Sequence, residues 1–209
     1  MAEGDPGRPA GVGELADLLA RPGVVEVVEL RSSFGFMAFH GGALEEVTDV
    51  IAADAAAASG ASYYGVVHPD GDLHLPSARF RREQSAALDR FLAHVDVVVT
   101  VHGYGRHGRW TDLLLGGGNR DLADHLAGFL APALPDYQVV TDLDEIPPEL
   151  RGLHRTNPAN VPTRGGVQVE LPPRVRGRSP LSPPPGPDGL SPPTRALIDA
   201  LAAAARAWP

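Results

Sequence analysis

Two hydrophobic runs in this chain stop in the same way, on a histidine followed at once by glycine: His40-Gly41 after residues 34–39, and His102-Gly103 after residues 95–101. Five positions beyond the first histidine stands Glu45, with Gly41 and Gly42 between them to let the backbone fold tightly. Two imidazoles and one carboxylate make the three-ligand set of a catalytic zinc, which keeps a fourth position open for water. The chain has no cysteine, so any metal must be taken by His, Asp or Glu. A competing account needs no metal. In it, Glu45 and Glu46 begin a helix after a βα turn, where the macrodipole favours negative charge, and the histidines are ordinary strand-end residues that hydrogen-bond their surroundings.

The elements that must position these residues can be read from periodicity. Residues 12–20 place Leu15, Leu18 and Leu19 at helical spacing, and residues 24–30 and 34–39 read as strands, the second delivering His40. Residues 44–58 form an apolar-striped helix closed by Gly60, with Glu45 in its first turn, followed by a strand at 61–67. A brief extended piece, 73–75, ends at Pro76, and residues 82–94 are helical again. The run 95–101 is β-branched and unbroken, the pattern of a strand covered on both faces in a parallel sheet. Strands at 111–115, 137–141 and 167–171 follow, with a helix opened by Gly116-Gly117-Gly118-Asn119 and an irregular stretch at 143–159. Alternation of this kind predicts an α/β fold with a mixed, largely parallel central sheet flanked by helices. Ligands in such sheets gather beyond the carboxyl ends of the strands, where His40 and His102 stand.

The 209 residues suit one domain. The expected organisation is a loose segment at 1–10, a catalytic α/β domain at 11–171, a Pro-rich loop or linker at 172–193 and a C-terminal helix at 194–209 docking on the domain. A net charge of −8 argues against a nucleic-acid partner. All eighteen basic residues are arginine, so each arginine carries less meaning than it would in a mixed chain. No apolar run approaches the roughly 20 residues of a membrane helix, and the first residues do not form a secretory signal, so a soluble cytoplasmic protein is expected. Histidines 68, 94, 107, 125 and 154 have no ligand-like spacing and are expected mostly on solvated surface, with His74 intermediate.

Four motifs in order, His40-Gly-Gly-Ala-Leu-Glu45, Leu73-His74-Leu75-Pro76-Ser77, Val101-His102-Gly103 and Gly165-Gly166-Val167-Gln168-Val169-Glu170-Leu171, resemble those of the poly-γ-glutamate hydrolase family of phages and bacteria. The resemblance covers roughly residues 24 to 176 and implies a zinc carboxypeptidase-like fold. It implies zinc held by His40, Glu45 and His102, and Glu170 as the catalytic carboxylate. Arg164 is implied as the arginine before the last motif, gripping a substrate carboxylate or the oxyanion. Tyr104, Arg106 and Arg109, close after His102, are candidates for the mouth of the pocket, and Asn157 and Asn160 are candidate polar contributors. Asn119-Arg120 reads as a helix N-cap with an arginine beside it.

The activity so implied is zinc-dependent hydrolysis of amide bonds, with γ-glutamyl amides such as poly-γ-glutamate as substrate, and N-acyl amino acids or glutamyl peptides as alternatives. The expected partner is a small-molecule or peptide-like substrate bearing carboxylates. The other class of function is a non-catalytic metal-containing module whose Pro-rich segment docks a partner. Oligomeric state is not legible.

Overall fold

The structure is a computed structural model that describes residues 14–209; the expected loose segment at 1–10 lies outside the described residues. Seven strands form one mixed sheet. They are β1 (Val25–Glu29), β2 (Phe34–Gly42), β3 (Ser62–His68), β4 (Val97–Gly103), β5 (Asp112–Gly116), β6 (Gln138–Val140) and β7 (Gly166–Leu171). Their order is β1-β3-β2-β4-β7-β5-β6. The central strands β3, β2, β4 and β7 run parallel to one another, β1 and β5 pair antiparallel to β3 and β7, and β6 runs parallel to β5. This is the expected α/β sheet, largely parallel at its centre.

Helices cover both faces. On one side α2 (Thr48–Ser59), α4 (Arg120–Ala133) and α5 (Pro192–Ala207) pack over Phe34, Phe36, Val97, Val99, Val101, Val167 and Val169. On the other, α1 (Leu15–Leu19) and α3 (Ala86–His94) pack with Leu75 and Phe80 over Met37, Phe39, Tyr64, Val66 and Val98. Neighbouring residues of β2 and β4 thus belong to opposite cores, which is why both runs are continuously apolar. Side chains cap the starts of two helices: α3 begins at Ala86 and not at residue 82, and Asn119 is the expected N-cap of α4. The Ser85 hydroxyl accepts from the N–H groups of Ala87 and Leu88, and Asn119 Oδ1 accepts from Leu122 N–H at 2.9 Å. Residues 172–191 contain no helix or strand, yet Val175 is buried in the same core as α5.

Two features of β2 and its exit were not read from the sequence. Between Ala38 and Gly41 the strand spends three steps where β3 spends two, from Gly65 to Val67. This bulge breaks the two-residue alternation. Without it His40 would share the face of Phe36 and Ala38, under α2; with it His40 joins the face of Phe39 and His102. The carbonyl of Phe39, left out of the ladder, is taken by His68 Nε2 at 3.0 Å, so His68 is a buried structural residue and not a solvated one.

The second feature is that Glu45 lies before α2, not in its first turn. The helix begins at Thr48, after Val47 with φ of 76°, a left-handed conformation that costs a β-branched residue energy. Glu45 is instead held by its own N–H, which donates to His40 O at 2.7 Å, while its carbonyl accepts from the Thr48 hydroxyl at 2.7 Å.

Gly42 is the hinge of this exit: its φ is 69°, and a Cβ there would stand 2.3 Å from the His68 carbonyl oxygen. Gly42→Ala is therefore expected to lower unfolding free energy by at least about 2 kcal/mol. Urea denaturation measures it, and a loss below about half a kcal/mol would show that the hinge tolerates a side chain.

Candidate metal centre and cleft

The ends of β2, β4 and β7 meet at one edge of the sheet, where His102 and Glu170 are register partners on adjacent parallel strands. Ligand atoms of His40, Glu45 and His102 all lie within 4.8 Å of one another. Glu45 stands between the two imidazoles. Its Oε1 is 2.8 Å from His40 Nδ1, and its Oε2 is 3.4 Å from His102 Nδ1 and accepts from Gly103 N–H at 2.8 Å. On the far side of its ring, His40 Nε2 donates to the Leu75 carbonyl at 2.8 Å. With Nε2–H held by that bond, Nδ1 is the ring atom turned to the shared centre: it donates to Glu45 here and would offer its lone pair to a metal on losing that proton, the outer-shell arrangement typical of a metal-ligating histidine. His102 Nε2 is buried and has no protein partner among the described residues. Two Nδ1 atoms and a carboxylate converging on one point are a donor set that fits zinc.

Charge is organised around that point. Burial opposes ionisation of Glu45, but the charge of His40 and hydrogen bonds from both imidazoles outweigh it and hold the carboxyl well below the usual carboxylate range. Burial would likewise depress His102, yet the hydrogen bond and charge of Glu45 raise it. Glu170 behaves differently. It is 4% exposed, and burial pushes its pKa up to about 7, against the opposing charge of His102 and with that of Glu45. A carboxyl poised near 7 is suited to taking and returning a proton at neutral pH.

Glu170 is also oriented. Gln168 Nε2 donates to its Oε1 at 2.8 Å, Asn157 Nδ2 donates to Gln168 Oε1 at 2.7 Å, and Asn157 Oδ1 accepts from Ala159 N–H at 3.0 Å. Since β7 lies between β4 and β5, Glu170 is no edge-strand charge facing solvent. Above the trio opens a cleft of about 460 Å³. His74, Pro76, Ser77 and Ala78 line one wall, and Pro148, Glu149, Leu150, Gly152, Leu153 and His154 with Asn157 line the other. Thr156 ties the walls together by donating to the Ala78 carbonyl at 2.8 Å.

Comparison with known proteins can now be set against this geometry. A family model described as poly-gamma-glutamate hydrolase matches residues 19–178. The chain belongs to the poly-gamma-glutamate hydrolase family. Among solved structures it is similar to a bacteriophage poly-gamma-glutamate hydrolase, with a TM-score of 0.75 and 18% identity over 92% of this chain and 95% of that one. It is also similar to YNDL in its zinc-free form, with a TM-score of 0.64 and 22% identity over 77% of this chain and 79% of that one. A putative carboxypeptidase from Burkholderia mallei matches with a TM-score of 0.50 and 12% identity, over 93% of this chain and 66% of that one. No curated protein sequence matches. The fold is therefore zinc carboxypeptidase-like.

Several residues expected at the family's site stand elsewhere. Arg164 precedes β7, at the opposite edge of the sheet from Glu170; Gly166 and Glu170 are four residue steps apart along the strand, a span of roughly 13 Å. Its guanidinium donates to the Pro209 carbonyl at 2.7 Å and lies 5.1 Å from the centre of the Trp208 ring. Tyr104 is buried, and its hydroxyl meets the carbonyls of Arg109 and Asp112 at 2.9 and 2.7 Å. Arg109 itself pairs with Asp112 and the Glu145 carbonyl. Asn160 joins loops, accepting from Gly118 N–H at 2.9 Å and donating to Gly152 O at 2.7 Å. None of these four lines the cleft. The cleft takes in Asn157, a candidate polar contributor, together with His74 and Gln168, which were visible as parts of motifs, and His154, which lacked ligand spacing.

The Glu170 shift has a thermodynamic consequence. In metal-free protein its pKa is about 7 folded and near 4.5 unfolded, so between those pH values the folded state binds the extra proton. The associated stability is complete below pH 4.5 and is lost as pH rises through 7, a change of about 3 kcal/mol. Glu170→Gln removes it. Urea unfolding at pH 4.5 and pH 8 is expected to show the variant gaining on wild type as pH rises; a difference independent of pH would contradict the shift.

Proposed function

We propose that this chain is a zinc-dependent hydrolase of amide bonds, acting on γ-glutamyl amides. The family membership and the carboxypeptidase-like fold support a hydrolase; zinc and the substrate are the further steps. The observation that supports the metal and the hydrolysis is the turning of two Nδ1 atoms toward the one Glu45 carboxylate, with Glu170 on the adjacent strand. A zinc ion there would act as a Lewis acid on the scissile carbonyl and lower the pKa of a water toward about 7.

The chain's own residues do the rest. Glu45 stays ionised and keeps both imidazoles aimed. Glu170 accepts a proton from the attacking water and passes it to the nitrogen of the departing amine as the C–N bond breaks. Gln168 holds Glu170 in place for both transfers, donating to one oxygen and leaving the other for the proton. The γ-glutamyl amide bond is chosen because it is the linkage in the substrate that names the family. A cytoplasmic setting is part of the same proposal. The non-catalytic alternative has less support, since a metal-binding module has no use for a buried carboxyl tuned to about 7 beside its ligands.

His40→Ala and His102→Ala should each abolish stoichiometric zinc, measured by elemental analysis after dialysis. Glu170→Gln should keep the metal and lose about 10²- to 10⁴-fold in kcat on a γ-glutamyl amide. Full zinc with an unchanged rate in Glu170→Gln would remove the catalytic assignment, and undiminished zinc in the histidine variants would remove the site.

A further inference from the structure

We propose that Arg176, in the segment that follows β7, is a positioning residue of the metal centre, holding from behind the backbone that aims Glu45. This rests on the zinc-hydrolase reading and deepens it: residues 172–178, expected as the start of a loop or linker, become part of the site.

Arg176 is 9% exposed. Its Nη1 donates to the Glu46 carbonyl at 2.8 Å and its Nε to the Leu171 carbonyl at 3.3 Å. The guanidinium also lies against Gly103, where a Cβ would stand 2.7 Å from Cζ and 3.0 Å from each terminal nitrogen. Each of these three neighbours belongs to the centre. Glu46 follows Glu45. Gly103 follows His102, and its N–H donates to Glu45 Oε2. Leu171 follows Glu170, is the register partner of Gly103 and accepts from Tyr104 N–H at 3.0 Å. One side chain thus touches the residue after each of Glu45, His102 and Glu170.

Packing alone does not account for a guanidinium at this point. Burying a cation is costly unless partners offset it, and two carbonyls, one of them at 3.3 Å, offset it poorly. Burial lowers the pKa of Arg176, and the carboxylates that favour its charge are those of Glu45, Glu46 and Glu170. An apolar side chain would fill the space without that cost, but it could not pin the Glu46 carbonyl. Val47, next in the chain, stands at φ of 76°, and strain of that kind persists only where neighbours fix it. Arg176 holds the backbone of Glu46, and Arg178 Nε holds its carboxylate at 3.0 Å. Released, the chain would relax away from the inward turn of Glu45.

Arg176 is itself anchored. Val175 is buried in the core that α5 shares, and its carbonyl accepts from the Thr194 hydroxyl at 2.8 Å. Contacts therefore run from α5 through Val175 and Arg176 to the exit of β2.

Zinc affinity tests this, read by competition with a chromophoric chelator and so independent of turnover. Arg176→Met keeps most of the volume while removing the charge and the fork, and is expected to weaken zinc binding about tenfold or more, the scale of lost outer-shell support. Arg176→Lys, which retains the charge and a donor, is expected to fall between methionine and wild type. Leu126→Ala, a cavity beneath α4, is expected to lower the urea midpoint and leave zinc affinity unchanged. Wild-type affinity in Arg176→Met, or an equal loss in Leu126→Ala, overturns the positioning role and leaves the metal centre standing. A lysine variant no better than methionine overturns the part given to the charge. If Arg176→Met does not fold, wild-type affinity in Arg176→Lys overturns the proposal by itself. Absence of stoichiometric zinc from the wild-type protein overturns the zinc reading beneath it.

Discussion

The open edge of the sheet depends on one carboxylate. Glu45 reaches His40 and His102 with its two oxygens and takes the N–H of Gly103, so it joins the exit of β2 to the end of β4. Hydrogen bonds to an ionised group are the strong ones, and here they form away from bulk water. The charge is kept by its partners: left alone, burial would neutralise it. A donor set that a metal could use is therefore also what closes this edge of the fold. The cost is local backbone strain at Val47, two residues on, whose left-handed φ lets the chain leave Glu45 pointing inward and still enter α2.

The bulge in β2 is the second requirement. A strand presents alternate residues to opposite faces, so histidines on neighbouring strands meet only if their alternation is in phase. In β4 the even positions, Val98 and His102, face the α1 and α3 side, while in β2 the even positions Phe36 and Ala38 face α2. One inserted residue after Ala38 corrects the phase. The ladder bond thereby lost is recovered through His68, and Gly42 absorbs the turn that follows.

These facts explain what the sequence disclosed and what it withheld. Strand-ending His-Gly pairs, the unbroken β-branched run of β4 and the cap residue Asn119 are local signals, and local signals are legible. The grouping of His40, Glu45 and His102 was legible because both histidines close strands and Glu45 follows the first by five residues, although Glu45 stands before α2 and not in its first turn. Arg164, Tyr104, Arg109 and Asn160 were misplaced because nearness in sequence to a site residue says nothing of direction. A parallel strand carries residues at its start to the opposite edge of the sheet, so Arg164, six positions before Glu170, is among the residues most firmly excluded from the cleft. His68 went unread for the same reason: its partner, Phe39, belongs to a bulge that no periodicity reveals. Asn157 and Gln168 work through one another across a loop, a pairing visible only once the chain is folded.

The division between floor and walls bears on how specificity is set in this family member. The floor is made of strand ends whose positions are fixed by the register of β2, β4 and β7, and it can change little without unfolding the sheet. The walls are segments 74–78 and 148–157, outside the strands, hydrogen-bonded to the floor between Leu75 and His40 and between Asn157 and Gln168, and to each other by Thr156 and Ala78. Loops of this kind accept substitution far more readily than packed strands. A fold can therefore keep such a floor while its walls change. Shared motifs report the first and are silent on the second.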